Sequence, residues 1–154
     1  MKVADIMVEN VVKISAEETV DKAVRLMNRC EIGCLVVTKN SHVVGIITER
    51  DLLRRVLAKS KDPRKVKVSQ VMTKPVIVGS PLMELEDAAR MMFRKKIKKL
   101  PLVNDGKLVG LITLTDIART AHIDIKMLSI IKELSSNGWL PPKRMQKVID
   151  FYVT

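Results

Sequence analysis

The sequence predicts an α/β (α+β) fold: two pseudo-symmetric βαββα repeats packed through their sheets, followed by a C-terminal helical tail. Three observations predict it. Sliding the 154-residue chain by 65 positions lays Val3-Ala-Asp-Ile-Met7 over Val68-Ser-Gln-Val-Met72, and Val44-Gly-Ile-Ile-Thr-Glu-Arg-Asp51 over Val109-Gly-Leu-Ile-Thr-Leu-Thr-Asp116, without a gap. Self-similarity at one fixed offset is the mark of a repeat architecture. Within each copy a helix-period stripe gives way to short β-branched runs, and after His122 the similarity stops and a differently patterned tail begins.

Each copy opens on a short strand, near Val11 to Ser15 and Val76 to Ser80. A helix follows, because Val20, Ala23, Val24 and Met27, and their counterparts Leu85, Ala88, Ala89 and Met92, recur at i, i+3, i+4 and i+7. Leu35–Thr38 and Val43–Thr48 then read as a hairpin around the polar turn Lys39-Asn40-Ser41. In copy two Leu100–Val103 and Leu108–Thr113 flank Asn104-Asp105-Gly106-Lys107, and Asp-Gly is among the strongest hairpin signals. A second helix starts after Thr48 and after Thr113.

About 55 residues bury too little apolar area to stand alone, so the two copies are expected to pack against each other. Copy one is assigned to 1–60, a linker to 61–67 within the basic stretch Lys59–Lys67, copy two to 68–122 and a helical extension to 123–154. In the extension Ile125, Leu128, Ile131 and Leu134 form an apolar stripe on a helix from about Asp124. Ser135-Ser136-Asn137-Gly138 breaks it, and Pro141-Pro142 opens a final helix to about Tyr152. Such helices cap the module or pack across a dimer, and offer a surface for passing a signal to another chain.

Composition excludes several functions. The 47% hydrophobic content supports a core, and no apolar run approaches the roughly 20 residues of a membrane span. The chain opens on Met1-Lys2-Val3-Ala4-Asp5 without the apolar run of a secretory signal, so a cytoplasmic protein without membrane association is expected. Cys30 and Cys34 are too few for a disulfide framework or a zinc site and read as ordinary thiols. Neither His42, placed in a hairpin turn, nor His122 has the neighbours of a triad or metal site, so no enzyme, no metal and no catalytic cofactor is expected.

The order Val-x-x-Ile-Met, amphipathic helix, hairpin, then Gly-Ile-Ile-Thr-Glu-Arg-Asp-Leu resembles the CBS (cystathionine β-synthase) domain, and two in tandem resemble a Bateman module. The resemblance covers roughly Met1 to His122 and rests on the Gly-x-x-Thr-x-x-Asp motif in both copies. It implies a regulatory module, usually a homodimer, that binds AMP, ADP, ATP or S-adenosylmethionine between repeats and transmits ligand state to a separate, unidentified protein.

The resemblance assigns Asp116 and Asp51 to the ribose, and Thr113 and Thr48 to the same clefts. Their chemistry agrees: unpaired N–H groups and the helix dipole favour anions where a strand ends and a helix begins. Thr with an acid three residues on is equally a capping box, which needs no ligand. Lys98 and Lys99 stand where family members often carry phosphate-binding cations, whereas copy one has Gly33 and Cys34, so the clefts are expected to be unequal. Strand alternation would send the two lysines to opposite faces, and Arg94, Lys95 and Lys96 make a solvated basic run the competing reading. The adenine surface of the Asp116 cleft is assigned to Val12, Ile32, Gly33 and Cys34, and the Asp51 cleft to Ile77 and Ile97.

The principal alternative is nucleic acid. A net charge of +11, with Arg54, Arg55, Lys59, Lys61, Arg64, Lys65 and Lys67 in one segment, attracts polyanions. With 3% aromatics and only Phe93 inside a basic run, the stacking platforms of single-strand binders are missing.

Overall fold

The computed structural model describes residues 1–121, 129–130 and 133. In copy one, strand β1 (Lys13–Ser15) precedes helix α1 (Val20–Cys30), followed by β2 (Cys34–Lys39), β3 (His42–Thr48) and α2 (Glu49–Arg55). After a short helix α3 (Val68–Val71), copy two supplies α4 (Leu85–Arg94), β4 (Lys99–Asn104), β5 (Lys107–Thr113) and α5 (Leu114–Ala121). The Val-x-x-Ile-Met stretches are helical turns: a 3-10 turn at Val3–Asp5 and α3 at the matching place.

Local chemistry fixes the boundaries. The Thr19 hydroxyl caps α1 by accepting from Lys22 N, and Glu31 ends the helix in the left-handed region at φ 53°. Both hairpins turn on two residues of positive φ, Asn40 (49°) with Ser41 (65°) and Asp105 (49°) with Gly106 (75°). That matches the twist of the flanking strands and suits Asn, Asp and Gly. His42 is the first residue of β3 rather than part of the turn.

β1, β2 and β3 form one sheet, β1 parallel to β2 and β2 antiparallel to β3, with Cys34 opposite Thr48. β4 and β5 form a two-stranded sheet. The leading strand expected in copy two is reduced to a single parallel bridge, Gly79 to Leu102. Pro101 accounts for the loss: in copy one Val36 N donates to Val12 O, and Pro101, at the position matching Val36, has no N–H to give.

Two compact units result, neither contiguous along the chain. Unit 1 comprises Met1–Glu9, Val78–Asn104 and the chain from Val109, and unit 2 comprises Asn10–Ile77 with the hairpin tip Asp105–Leu108. In unit 1 the first nine residues join copy two: Val3 N donates to Met83 O, Leu85 N to Met1 O, and Val8 and Leu111 exchange both backbone bonds. In unit 2 the 68–77 stretch joins copy one, where Val68 N donates to Glu18 O and Thr73 and Ile46 exchange both bonds. Each methionine of the repeated Ile/Val-Met pair thereby lies over the motif glycine. A Cβ on Gly110 would sit 2.5 Å from Met7 Sδ, and one on Gly45 2.5 Å from Met72 Sδ.

The core of unit 2 is built from Ile14, Val20, Ala23, Met27, Leu35, Val37, Ile47, Val68 and Val71, all buried. Unit 1 buries the matching Leu85, Ala88, Met92, Leu100, Leu102 and Ile112, with Val3. Of the extension, Ser129, Ile130 and Glu133 are helical, and Ile130 is buried although it is outside the predicted apolar stripe. The stripe residues, His122, the break at 135–138 and the final helix lie outside the described residues.

Candidate functional site

Thr48 ends β3 and caps α2, and Thr113 ends β5 ahead of α5. In copy one Asp51 N donates to Thr48 Oγ1 (3.3 Å), and Asp51 Oδ2 accepts from Thr48 N (2.9 Å) and Thr48 Oγ1 (3.0 Å). Copy two repeats this with Thr113 and Asp116 at 3.3, 2.8 and 2.6 Å. The capping box is therefore present in both copies. It uses only one oxygen of each carboxylate, so it leaves open what the second does.

The second oxygens differ. Asp51, 9% exposed, accepts at Oδ1 from Thr73 Oγ1 (3.1 Å) and pairs there with Arg55 Nη1 (3.4 Å), whose guanidinium also donates to Val71 O. At the positions matching Thr73 and Arg55, copy two has Val8 and Thr120, and the Thr120 hydroxyl donates to Asp116 O instead. Asp116 is half-buried, and its Oδ1 has no partner among the described residues. Thr73 and Arg55 were not anticipated. Their signal was present as mismatches at the 65-residue offset, and Arg55 also lies one helical turn beyond Asp51.

The residue two places before each Leu of β2 or β4 sits against the first turn of the following helix. Gly33 O accepts from Glu49 N (3.1 Å), and Lys98 O accepts from Leu114 N (3.0 Å). Unit 1 thus brings Lys98 together with Thr113 and Asp116, with Lys98 exposed and Lys99, the first residue of β4, half-buried. Unit 2 brings Gly33 and Cys34 beside Thr48, and a Cβ on Gly33 would meet the Glu49 carboxylate at 3.1 Å. The backbone of Lys98 thus meets the start of α5, whereas at the start of α2 the Glu49 carboxylate lies against Gly33. Glu49 against Leu114 is a further offset mismatch that sequence reasoning did not use.

Val12 and Ile32 pack against the core of unit 2, where Ile77 is half-buried. Ile97 is half-buried in unit 1 and donates to Met92 O at the end of α4. Cys30, exposed, ends α1, whereas Cys34 is buried at the start of β2. Among the described residues no cluster of His, Cys, Asp and Glu is suited to a metal, and no helix is long and apolar enough to cross a membrane.

Part of the basic segment is engaged internally. Arg55 pairs with Asp51, Arg64 with Asp62, and Lys67 with Glu17, which holds the Glu17 carboxyl below its ordinary range. Arg54, Lys59, Lys61 and Lys65 are exposed.

A duplicated α+β unit with a Thr-x-x-Asp cap at the mouth of each second helix defines a tandem-repeat module of the kind that serves as a regulatory domain. The sequence model of the CBS domain matches residues 3–58 and again 68–122, and the chain belongs to the CBS domain family. CBS pairs are in general regulatory and take adenosyl ligands. The chain is 34% identical over 116 residues to the CBS domain-containing protein YhcV of Bacillus subtilis, covering 75% of this chain and 82% of that protein. It is also 34% identical over 120 residues to inosine-5'-monophosphate dehydrogenase of Methanocaldococcus jannaschii, covering 77% of this chain but 23% of the enzyme. Among solved structures, the hexameric CBS-CP12 protein from bloom-forming cyanobacteria superposes with a TM-score of 0.69 at 26% identity, covering 88% of this chain and 97% of that one.

Proposed function

We propose that this chain is a non-catalytic sensor of adenine nucleotides, AMP, ADP or ATP, or of S-adenosylmethionine, that passes ligand state to a separate protein. One observation carries the reading. The Asp116 carboxylate, capping α5 through Oδ2, keeps Oδ1 without a partner among the described residues, and the backbone of the exposed Lys98 meets the start of the same helix. A carboxylate oxygen in that state accepts from the cis hydroxyls of a ribose, while Lys98 or Lys99 and the N-terminal amides of α5 attract phosphate. Thr113 serves the same site, and the family pattern assigns the adenine faces to Val12 and Ile32-Gly33-Cys34. Aliphatic surface suits a purine, since burial is favourable at about 25 cal/mol per Å².

The Asp51 site, with Thr48, Ile77 and Ile97, is the weaker one: Thr73 and Arg55 already engage Asp51 Oδ1, and the Glu49 carboxylate opposes a phosphate. Ligand state acts by favouring one of two arrangements, which requires different affinities for them. The protein works in the cytoplasm as a homodimer. Native mass spectrometry of the purified chain tests this reading directly: an adenosyl mass that leaves on Asp116→Ala supports it, and a chain that neither retains nor takes up such a ligand refutes it.

A further inference from the structure

The two copies build the same turn between helix and hairpin from very different charges. Copy two runs Arg94-Lys95-Lys96-Ile97-Lys98-Lys99 where copy one, at the 65-residue offset, has Arg29-Cys30-Glu31-Ile32-Gly33-Cys34. Five cations thus replace one cation and one acid, and no Asp or Glu occurs from Ala88 to Asn104.

The backbone does not need these charges. Both stretches reverse in the left-handed region, Glu31 at φ 53° and Lys96 at φ 54°, and then Ile32 N and Ile97 N donate to Met27 O and Met92 O alike. A cation in the last turn of a helix offsets its dipole, but Arg29 and Arg94 fill that role in both copies. Lys95 and Lys96 are therefore surplus to the turn. Both are exposed, and among the described residues neither ammonium has an ion-pair partner.

Their place in unit 1 gives the surplus a use. Lys96 is two residues before Lys98, whose carbonyl accepts from Leu114 N in the first turn of α5. The chain can span at most about 7 Å over two residues, so Lys96 is a near neighbour of that helix start. At the start of α2 the matching residue is Glu31, and the Glu49 carboxylate lies against Gly33.

We propose that Lys95 and Lys96 are specificity-determining residues of the Asp116 site, which takes adenosine ligands carrying two or three phosphates, ATP foremost, in preference to AMP and S-adenosylmethionine. The proposal rests on the adenosyl-sensor reading of that site. With the ribose on Asp116 Oδ1 and the first phosphate at the amides of α5, a longer phosphate chain extends toward the turn at Lys96. A charge-assisted bond from ammonium to a phosphate oxygen is about twice as strong as a neutral one, and each added phosphate brings more charge to be met. AMP ends at the helix start and gains little from the turn. The sulfonium of S-adenosylmethionine is repelled by it.

The test is isothermal titration of AMP, ADP, ATP and inorganic tripolyphosphate, without divalent cations and at one ionic strength, into the full chain and into the double variant Lys95→Gln with Lys96→Glu. Copy one carries Glu31 at the same φ, so the variant should keep its thermal midpoint. Affinity is expected to rise at least tenfold from AMP to ATP, and the variant should lose most of that rise while binding AMP within twofold of the parent chain. AMP bound with ATP no tighter, a preference for ATP that survives in the variant, or a variant that weakens AMP as much as ATP overturns the proposal. Tripolyphosphate bound as tightly as ATP also overturns it, since that is attraction of charge without a nucleoside site. A chain that binds none of the three nucleotides refutes the sensor reading itself, an outcome distinct from AMP binding without a preference for ATP.

Discussion

At the scale of single residues, the two aspartates of the repeated motif share one role and differ in a second. Asp51 and Asp116 each hold a helix start, and such a cap contributes about 1 kcal/mol. Asp51 is in addition buried, and its other oxygen joins Arg55, four residues on, and Thr73, 22 residues on. Thr73 and Arg55 are exposed, so water can satisfy them when the carboxylate is removed, and the loss is that of the bonds themselves, about 0.5–1.5 kcal/mol for each. Asp51→Ala should therefore lower unfolding stability by about 2 kcal/mol and Asp116→Ala by about 1 kcal/mol, as read from urea denaturation. Equal losses would mean that the Thr73 and Arg55 bonds contribute little.

The caps were legible because their partners are three residues apart. The inequality of the second oxygens was not, because Thr73 reaches Asp51 through the fold, and only the Val8 mismatch at the offset hinted at it. Lys98 was legible by its departure from Gly33, whereas the carboxylate at the other helix mouth came from Glu49, a residue read only as part of the motif.

At the scale of elements, helix and hairpin boundaries followed from periodicity and turn chemistry, and the departures have local causes. Pro101 silences the ladder bond that would have lengthened the leading strand of copy two, as Val36 does not in copy one. The motif glycine is explained by close approach rather than by backbone freedom. Gly110→Ala drives a methyl group onto Met7 and should destabilise the protein by about 1–2 kcal/mol, with Gly45→Ala acting in the same way through Met72. Thermal unfolding of both variants checks this, and pairing Gly110→Ala with Met7→Ala should recover part of the loss.

The leading turn also responds to pH. Lys2 and then the N-terminal ammonium hold the Glu84 carboxyl below its ordinary value, so the pairing is present above the unfolded pKa and is lost as pH falls through the lower folded value. Protection of residues 1–9 against hydrogen exchange, taken relative to the intrinsic rate at each pH, should fall on acidification below about pH 4, and Glu84→Gln should remove that fall. The screened, exposed position keeps the effect local.

At the scale of the molecule, the offset revealed the duplication but not the partners of each piece. Val3–Met7 and Val68–Met72 are near-equivalent, so either can seat against either hairpin without altering the pattern. Periodicity reports similarity and is blind to which copy a segment completes. The structure seats residues 1–9 with copy two and the 68–77 stretch with copy one. Cutting the chain within the 61–67 linker therefore leaves each half holding the other's leading segment. Separate expression of 1–64 and 65–154 should give two poorly folded fragments by circular dichroism, and mixing them should restore the native spectrum.

The 28 basic residues also resolve into parts at this scale: Arg55, Arg64 and Lys67 are balanced by Asp51, Asp62 and Glu17, while Lys98 and Lys99 lie near the start of α5. The central claim is that Asp116 anchors an adenosyl ligand. Isothermal titration of AMP and ATP into the full chain and into Asp116→Ala tests it most directly. Saturable heat is expected for the full chain, with a loss of at least tenfold in affinity for Asp116→Ala as charge-assisted bonds to a ribose are removed. No heat with either nucleotide or S-adenosylmethionine, or affinity unchanged by Asp116→Ala, would contradict it.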